Sequence, residues 1–133
     1  MALQVELVSP ERILYSGEAE MVVCRTSDGE IAFQTGHAPF LGALGIGIVR
    51  IFQVGGETVK AAVHGGFVQV KDNRVIILSD VAELPDQVDA DRARRAADEA
   101  ERAVREAGAD AEAAAEADAR LRRAQTRLEL AGR

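Results

Sequence analysis

The chain has no tryptophan, one tyrosine and one cysteine, and its last third contains no aromatic residue at all. A single cysteine excludes an internal disulfide and suits a reducing interior. The neighbours of Cys24, Val22 and Val23, point to packing within a strand. No positively charged start leads into an apolar stretch, because Met1-Ala-Leu-Gln-Val-Glu6 places a carboxylate at the sixth residue, so no signal peptide is expected. The apolar runs are too short and too interrupted by glycine to span a bilayer. The expectation is a soluble chain inside the cell that reaches a membrane only through a partner. A formal charge of −6 and a pI near 4.9 argue against nucleic acid and anionic membrane surfaces, for which a local basic patch would be needed.

What is present divides at Leu84–Pro85. Residues 1–84 hold all four Phe, the Tyr, the Cys and ten of the twelve Gly, whereas sixteen of the forty-nine residues 85–133 are Ala, interleaved with Arg, Glu and Asp. Short apolar runs recur at Leu3–Val8, Ile13–Tyr15, Ala19–Cys24, Ile31–Phe33, Gly47–Val54, Thr58–Val63, Phe67–Val70 and Val75–Leu78. Their density predicts a sandwich or barrel of short strands. Ser27-Asp28-Gly29-Glu30, Gly55-Gly56 and Asp72-Asn73 are turn signals, so most connections should be antiparallel hairpins. Gly65-Gly66 reads as a bulge or a close backbone approach. Gly36-His37-Ala38-Pro39 forces a loop of a different kind and is a candidate contact surface.

Beyond Pro85 the period becomes helical. Asp89 is placed to cap a helix running to about Ala107, Gly108 to stop it, and Asp110 to cap a second. Ala93, Ala96, Ala97, Ala100, Ala103, Val104 and Ala107 share one face of the first helix. On the second, Ala114, Ala117, Leu121, Ala124, Leu128 and Ala131 form an a/d seam. The fold class is therefore α+β: an N-terminal antiparallel β-sandwich, 1–84, followed by a C-terminal antiparallel helical hairpin, 85–133. A seam of alanines buries little, so the hairpin is either a static part of the core or an element that a ligand can hold or release.

Most tail arginines have an acid four positions away: Asp91/Arg95, Asp98/Arg102, Glu101/Arg105, Glu116/Arg120 and Asp118/Arg122. Arg123 and Arg127 have none three or four positions away on either side, and they stand four apart, a spacing at which like charges oppose the helix. Arg92 has only Asp89 within reach. Asp89 is the expected helix cap, so these three guanidinium groups suit a shared anion such as phosphate, with Asp89 and Glu83 as acceptors for a ribose or base. A solvated face, or an acidic patch on a partner protein, satisfies the same spacing. His37 and His64 lack metal-ligand spacing, and neither a P-loop nor a nucleophile elbow is present. No acid, base and nucleophile assemble into an enzyme.

Three stretches together resemble the epsilon subunit of bacterial F-type ATP synthase along essentially the whole chain: Gly29-Glu-Ile-Ala-Phe-Gln-Thr-Gly-His-Ala-Pro39, Gly65-Gly-Phe-Val-Gln-Val70 with Val75-Ile-Ile-Leu-Ser-Asp80, and Val88-Asp-Ala-Asp-Arg-Ala93. The first is similar to the family's Gly-Glu-x-Gly-x-x-Pro-Gly-His-x-Pro, with Ala32 and Thr35 where Gly and Pro are usual. The third is similar to the nucleotide-binding Ile/Leu-Asp-x-x-Arg-Ala, with Val88 as the departure. The resemblance implies a non-catalytic central-stalk rotor subunit of a proton-translocating ATP synthase, peripheral to the cytoplasmic face of the cell membrane. Its implied partners are the gamma subunit, the membrane rotor ring and, in an extended state, the alpha/beta catalytic head, with no nucleic acid. By matching position, Glu30, Gly36, His37, Ala38 and Pro39 would face the ring, and Glu83, Asp89, Arg92, Ala93, Arg123 and Arg127 would bind ATP. No cofactor is required and no metal site is expected, ATP being the candidate regulatory ligand that holds the hairpin folded. The alternative, from a different class, is a free-standing ATP-sensing switch built on the same hairpin.

Overall fold

Alternating apolar residues and Gly- or Asx-rich turns produce seven strands in the computed structural model, which describes residues 2–132. They are β1 (Leu3–Val8), β2 (Ile13–Thr26), β3 (Gly29–Gln34), β4 (Phe40–Gln53), β5 (Thr58–Lys71), β6 (Arg74–Leu78) and β7 (Ala82–Glu83). The chain separates into two compact units, Met1–Leu84 and Pro85–Arg133.

Three of the strands are longer than the apolar runs suggest. Ile13–Tyr15 and Ala19–Cys24 join through Ser16-Gly17-Glu18 into β2, because the first half of that strand pairs with β1 and the second with β3 and β4. β5 likewise runs straight through Gly65-Gly66. Sheet order is β1-β6-β5-β4-β2-β3, and the additional β1–β2 pairing closes five strands into a barrel-like sandwich with β3 on its edge. A strand shared between two neighbours is what allows such a sheet to curl back on itself. All pairings are antiparallel except β1 with β6, which run parallel.

The interior is filled by one face of each long strand, including Leu3, Val5, Leu7, Val22, Cys24, Phe33, Ile51, Val63, Val68, Val75 and Ile77. Burial pushes the Cys24 thiol up to about 12, so it stays protonated and serves as a small apolar filler. Gly66 takes a positive φ of 123°, and a Cβ there would run into the Leu78 carbonyl oxygen and lie 2.9 Å from Ser79 Cα. Of the two readings of Gly65-Gly66, close backbone approach is the one observed. Asp72 and Asn73, with φ of 52° and 60°, form the two-residue turn between β5 and β6, the double positive-φ geometry that matches strand twist.

In the second unit a single 3₁₀ turn, Pro85–Gln87, precedes α1 (Ala90–Ala107) and α2 (Ala111–Leu130). The Asp89 carboxylate accepts from the Arg92 N–H at 3.1 Å and the Asp110 carboxylate from the Ala113 N–H at 3.1 Å, which fixes both helix starts. Gly108, at φ 53°, stops α1. Ala93, Ala97 and Ala100 of α1 and Ala117 and Ala124 of α2 are buried, as the small-residue seam requires. Thr126 and Leu130 are buried as well, although they lie about 200° and 240° around α2 from Ala124. The Thr126 hydroxyl donates to the Arg122 carbonyl at 2.7 Å, which makes its burial affordable for a polar group.

Candidate functional site

Two groups of candidate residues lie in the first unit, and each is held by neighbours the sequence did not reveal. The loop after β3 carries Gly36, His37, Ala38 and Pro39. His37 packs edge-on against Phe33 with centroids 4.9 Å apart and against Phe40 at 6.4 Å, and Phe33 and Phe40 are themselves 5.4 Å apart. Aromatic packing therefore roots a loop whose Ala38 and Pro39 are exposed. The Gly36 N–H donates to the Asn73 side-chain oxygen at 2.7 Å, while the Asn73 carbonyl accepts from the Gln4 N–H at 2.8 Å. Asn73 thus staples the loop to the β5–β6 turn and to the start of β1.

Glu30 lies near the other end of β3, up to about 20 Å away along the strand. Its carboxylate pairs with Arg50 at 3.0 Å, with both side chains substantially exposed. Such a surface pair contributes about 1 kcal/mol at most. The edge strand β3 therefore presents two separate candidate contacts and does not gather them into one cluster.

Glu83, on β7, hydrogen-bonds His64 Nε2 at 3.0 Å, and the His64 side chain is 3% exposed. The adjoining Ser79 hydroxyl binds the Gly65 carbonyl at 2.6 Å and the Val81 carbonyl at 3.0 Å, which secures the path from β6 into β7. A residue read as a nucleotide acceptor is thereby engaged within the sandwich unit.

The other candidate nucleotide residues are in the hairpin. Asp89, Arg92 and Ala93 start α1, and Arg123 and Arg127 occupy the last two turns of α2. Because the helices double back at Gly108–Asp110 and pack side by side, these five residues share its open end. Arg92 is exposed, whereas Arg123 and Arg127 are half-buried. Of the expected acid–arginine pairs, only Asp118–Arg122 closes to an ion pair, at 3.3 Å, among the described residues. The side-chain freedom an exposed pair loses on closing offsets most of the attraction it gains.

One feature was missed by the sequence reading. Ala43, Phe67, Leu78, Val8 and Ile13 are successive partners across β4, β5, β6, β1 and β2 and form an apolar row on the outer face. Ile13 is 60% exposed, Phe67 56% and Leu78 47%. A contiguous exposed apolar row is a candidate interaction surface. The available signal was Phe67 and Leu78, apolar at positions where alternation calls for outward-facing residues. No helix among the described residues is long and apolar enough to cross a membrane.

Comparison with known proteins locates this arrangement. The family model described as the beta-sandwich domain of the ATP synthase delta/epsilon chain matches residues 2–85. The ATP synthase epsilon chain of Streptomyces avermitilis is 50% identical over 125 residues, covering 94% of this chain and 97% of that one. The epsilon chain of Thermobifida fusca is 48% identical over 133 residues, covering 97% and 91%. Among solved structures, a chain of the Euglena gracilis mitochondrial ATP synthase, in its OSCP/F1/c-ring assembly, superposes with a TM-score of 0.83 at 22% identity, covering 99% of this chain and 82% of that one. At that identity the likeness concerns the fold.

Proposed function

Since the chain belongs to the ATP synthase epsilon-chain family, whose members are structural and regulatory subunits rather than catalytic ones, we propose that it works in the rotor of a proton-translocating ATP synthase and restrains ATP hydrolysis through an ATP-responsive hairpin. The observation that carries the regulatory part is the open end of the hairpin, where Asp89 and Arg92 of α1 meet the turns bearing Arg123 and Arg127 of α2.

The outer apolar row through Phe67 and Leu78 is the surface offered to the gamma subunit. The aromatic-rooted loop Gly36–Pro39, with Glu30 at the far end of β3, is offered to the membrane rotor ring. Through these contacts the subunit sits peripherally on the cytoplasmic side of the cell membrane and turns with the stalk as protons pass.

In the hairpin, the guanidinium groups of Arg92, Arg123 and Arg127 clamp the ATP phosphates, and Asp89 and Ala93 shape the start of α1 around the nucleotide. Glu83 lies in the other unit, and its part in binding is tested by Glu83→Gln. Five buried alanine methyls contribute about 4 kcal/mol before chain ordering is deducted, at about 0.8 kcal/mol each. A ligand at a hundred times its Kd adds about 2.7 kcal/mol. Because the two terms are of similar size, bound ATP decides whether the helices stay together. Without it, the helices separate and the same arginines meet carboxylates of the alpha/beta head.

Calorimetric titration of ATP into the purified chain tests the site. Arg123→Ala and Arg127→Ala should each weaken binding by about tenfold or more, the worth of a charge-assisted contact. Binding heat untouched by both substitutions would reject the nucleotide clamp and leave the stalk role standing. Co-purification with gamma and the rotor ring tests that role separately.

A further inference from the structure

At the β5–β6 turn two cations face each other across the strands. Lys71 and Arg74 are direct cross-strand partners flanking the Asp72-Asn73 turn, so both side chains leave the same face of the sheet, from Cα atoms about 5.5 Å apart. Like charges in that register oppose strand pairing. Among the described residues neither makes an ion pair, although Asp72 follows Lys71 and stands two residues before Arg74, and Glu6 lies on the same outer face beside Ile76. The chain as a whole is acidic, at −6. Two cations in direct register therefore stand out locally, with Asp72 and Glu6 near but unbonded to them.

The two cations also line a cleft. It measures about 410 Å³ and is bounded by Gln69, Lys71, Asp72, Arg74 and Ile76. That volume is within the ~300–1,000 Å³ range of small-molecule sites. Its chemistry is mixed in an ordered way. Lys71 and Arg74 supply ammonium and guanidinium donors for phosphate oxygens, while Asp72 and Gln69 accept from hydroxyls and Ile76 provides an apolar floor. A bare anion would be repelled by Asp72, but a phosphate joined to a polyol satisfies every group at once.

We propose that this cleft binds a hydroxyl-bearing phosphate ester of the glycerophosphate class, with the phosphate held between Lys71 and Arg74 and a hydroxyl donated to Asp72. Through Asn73, which ties the turn to Gly36, the occupied cleft adjoins the Gly36–Pro39 loop. The inference does not depend on the stalk reading or on the ATP clamp, because every group it uses belongs to one hairpin of the sandwich.

The ester can be soluble or the headgroup of a lipid, and two arms separate these sources. In the first, glycerol 3-phosphate is titrated into the full chain and followed by NMR. In the second, the chain is sedimented with vesicles of phosphatidylglycerol and phosphatidylcholine, and with phosphatidylcholine alone. Lys71 and Arg74 are exposed, so Lys71→Gln/Arg74→Gln should fold, and Lys60→Gln, on β5 outside the cleft, serves as control. The expected result is signal shifts confined to the cleft residues, or retention on phosphatidylglycerol vesicles only, reduced about tenfold or more in the double variant and unchanged in the control. Retention without glycerol 3-phosphate binding identifies the lipid as the source. Absence of binding in both arms, or binding that the double variant preserves, overturns the proposal.

Discussion

Replacing Ala100 by glycine distinguishes a hairpin that opens as two intact helices from one that melts. Ala100 is fully buried in the seam of α1, so the substitution removes one buried methyl, about 0.8 kcal/mol. Glycine in a helix interior costs a further ~0.9 kcal/mol relative to alanine. If both helices persist after separating, the propensity cost is common to the closed and open states, and only the packing loss acts on closure, a change of about fourfold in the closed-to-open ratio. If opening entails melting, both costs act, and the ratio falls roughly twentyfold. Ala115, exposed on α2, supplies the matched control, because Ala115→Gly carries the propensity cost without the packing cost. Closure is read from the distance between spin labels placed at the exposed positions Arg94 and Glu129 in a Cys24→Ala background, and helix integrity from amide exchange along α1. Equal effects of Ala100→Gly and Ala115→Gly on label separation would refute the view that the alanine seam holds the helices together.

Gly66→Ala should destabilise the sandwich by about 3 kcal/mol or more, since positive φ and collision with the Leu78 carbonyl act together, and urea unfolding measures it. Stability of the native chain should fall above about pH 9. The unfolded Cys24 thiol ionises there and releases a proton, whereas the folded one holds its proton until about 12, so up to about 1.4 kcal/mol is lost per pH unit in that window. Cys24→Ala should flatten this dependence in chemical denaturation followed between pH 8 and 11, and an unchanged slope would assign it to other groups. A chain ending at Leu84 should melt cooperatively and still bind gamma, because every residue of the sandwich core lies at or before Ile77; a non-cooperative melt would show that the sandwich needs the hairpin.

The parts of the fold that were legible are those with local causes. Asp89, Asp110 and Gly108 bound the helices where capping chemistry places them, and Asp72-Asn73 turns where two positive φ angles are needed. What escaped was set by partners distant in the chain. Ser16-Gly17-Glu18 reads as an interruption, yet pairing with β1 draws it into β2, and the parallel meeting of β1 and β6 has no signature within either strand. The Asn73–Gly36 staple joins residues thirty-seven apart. An a/d count finds the stripe through Ala117 and Ala124 but not Thr126 and Leu130, since one periodicity describes one face.

The candidate sites divide along the same line. Residue types announced arginines suited to an anion, and antiparallel return of α2 brings Arg123 and Arg127 to the end where Asp89 and Arg92 stand. Charge accounting by i,i+4 spacing succeeded for Asp118–Arg122 alone among the described pairs, because an exposed ion pair is nearly isoenergetic with two hydrated side chains. The arginines of the five expected pairs are not the ones proposed to hold a nucleotide, Arg92, Arg123 and Arg127, so whether the pairs close bears on helix stability and not on the clamp. At Lys71 and Arg74 the Asp72-Asn73 turn legible in the sequence puts two cations in register, and the folded sheet adds Gln69 and Ile76 beside them.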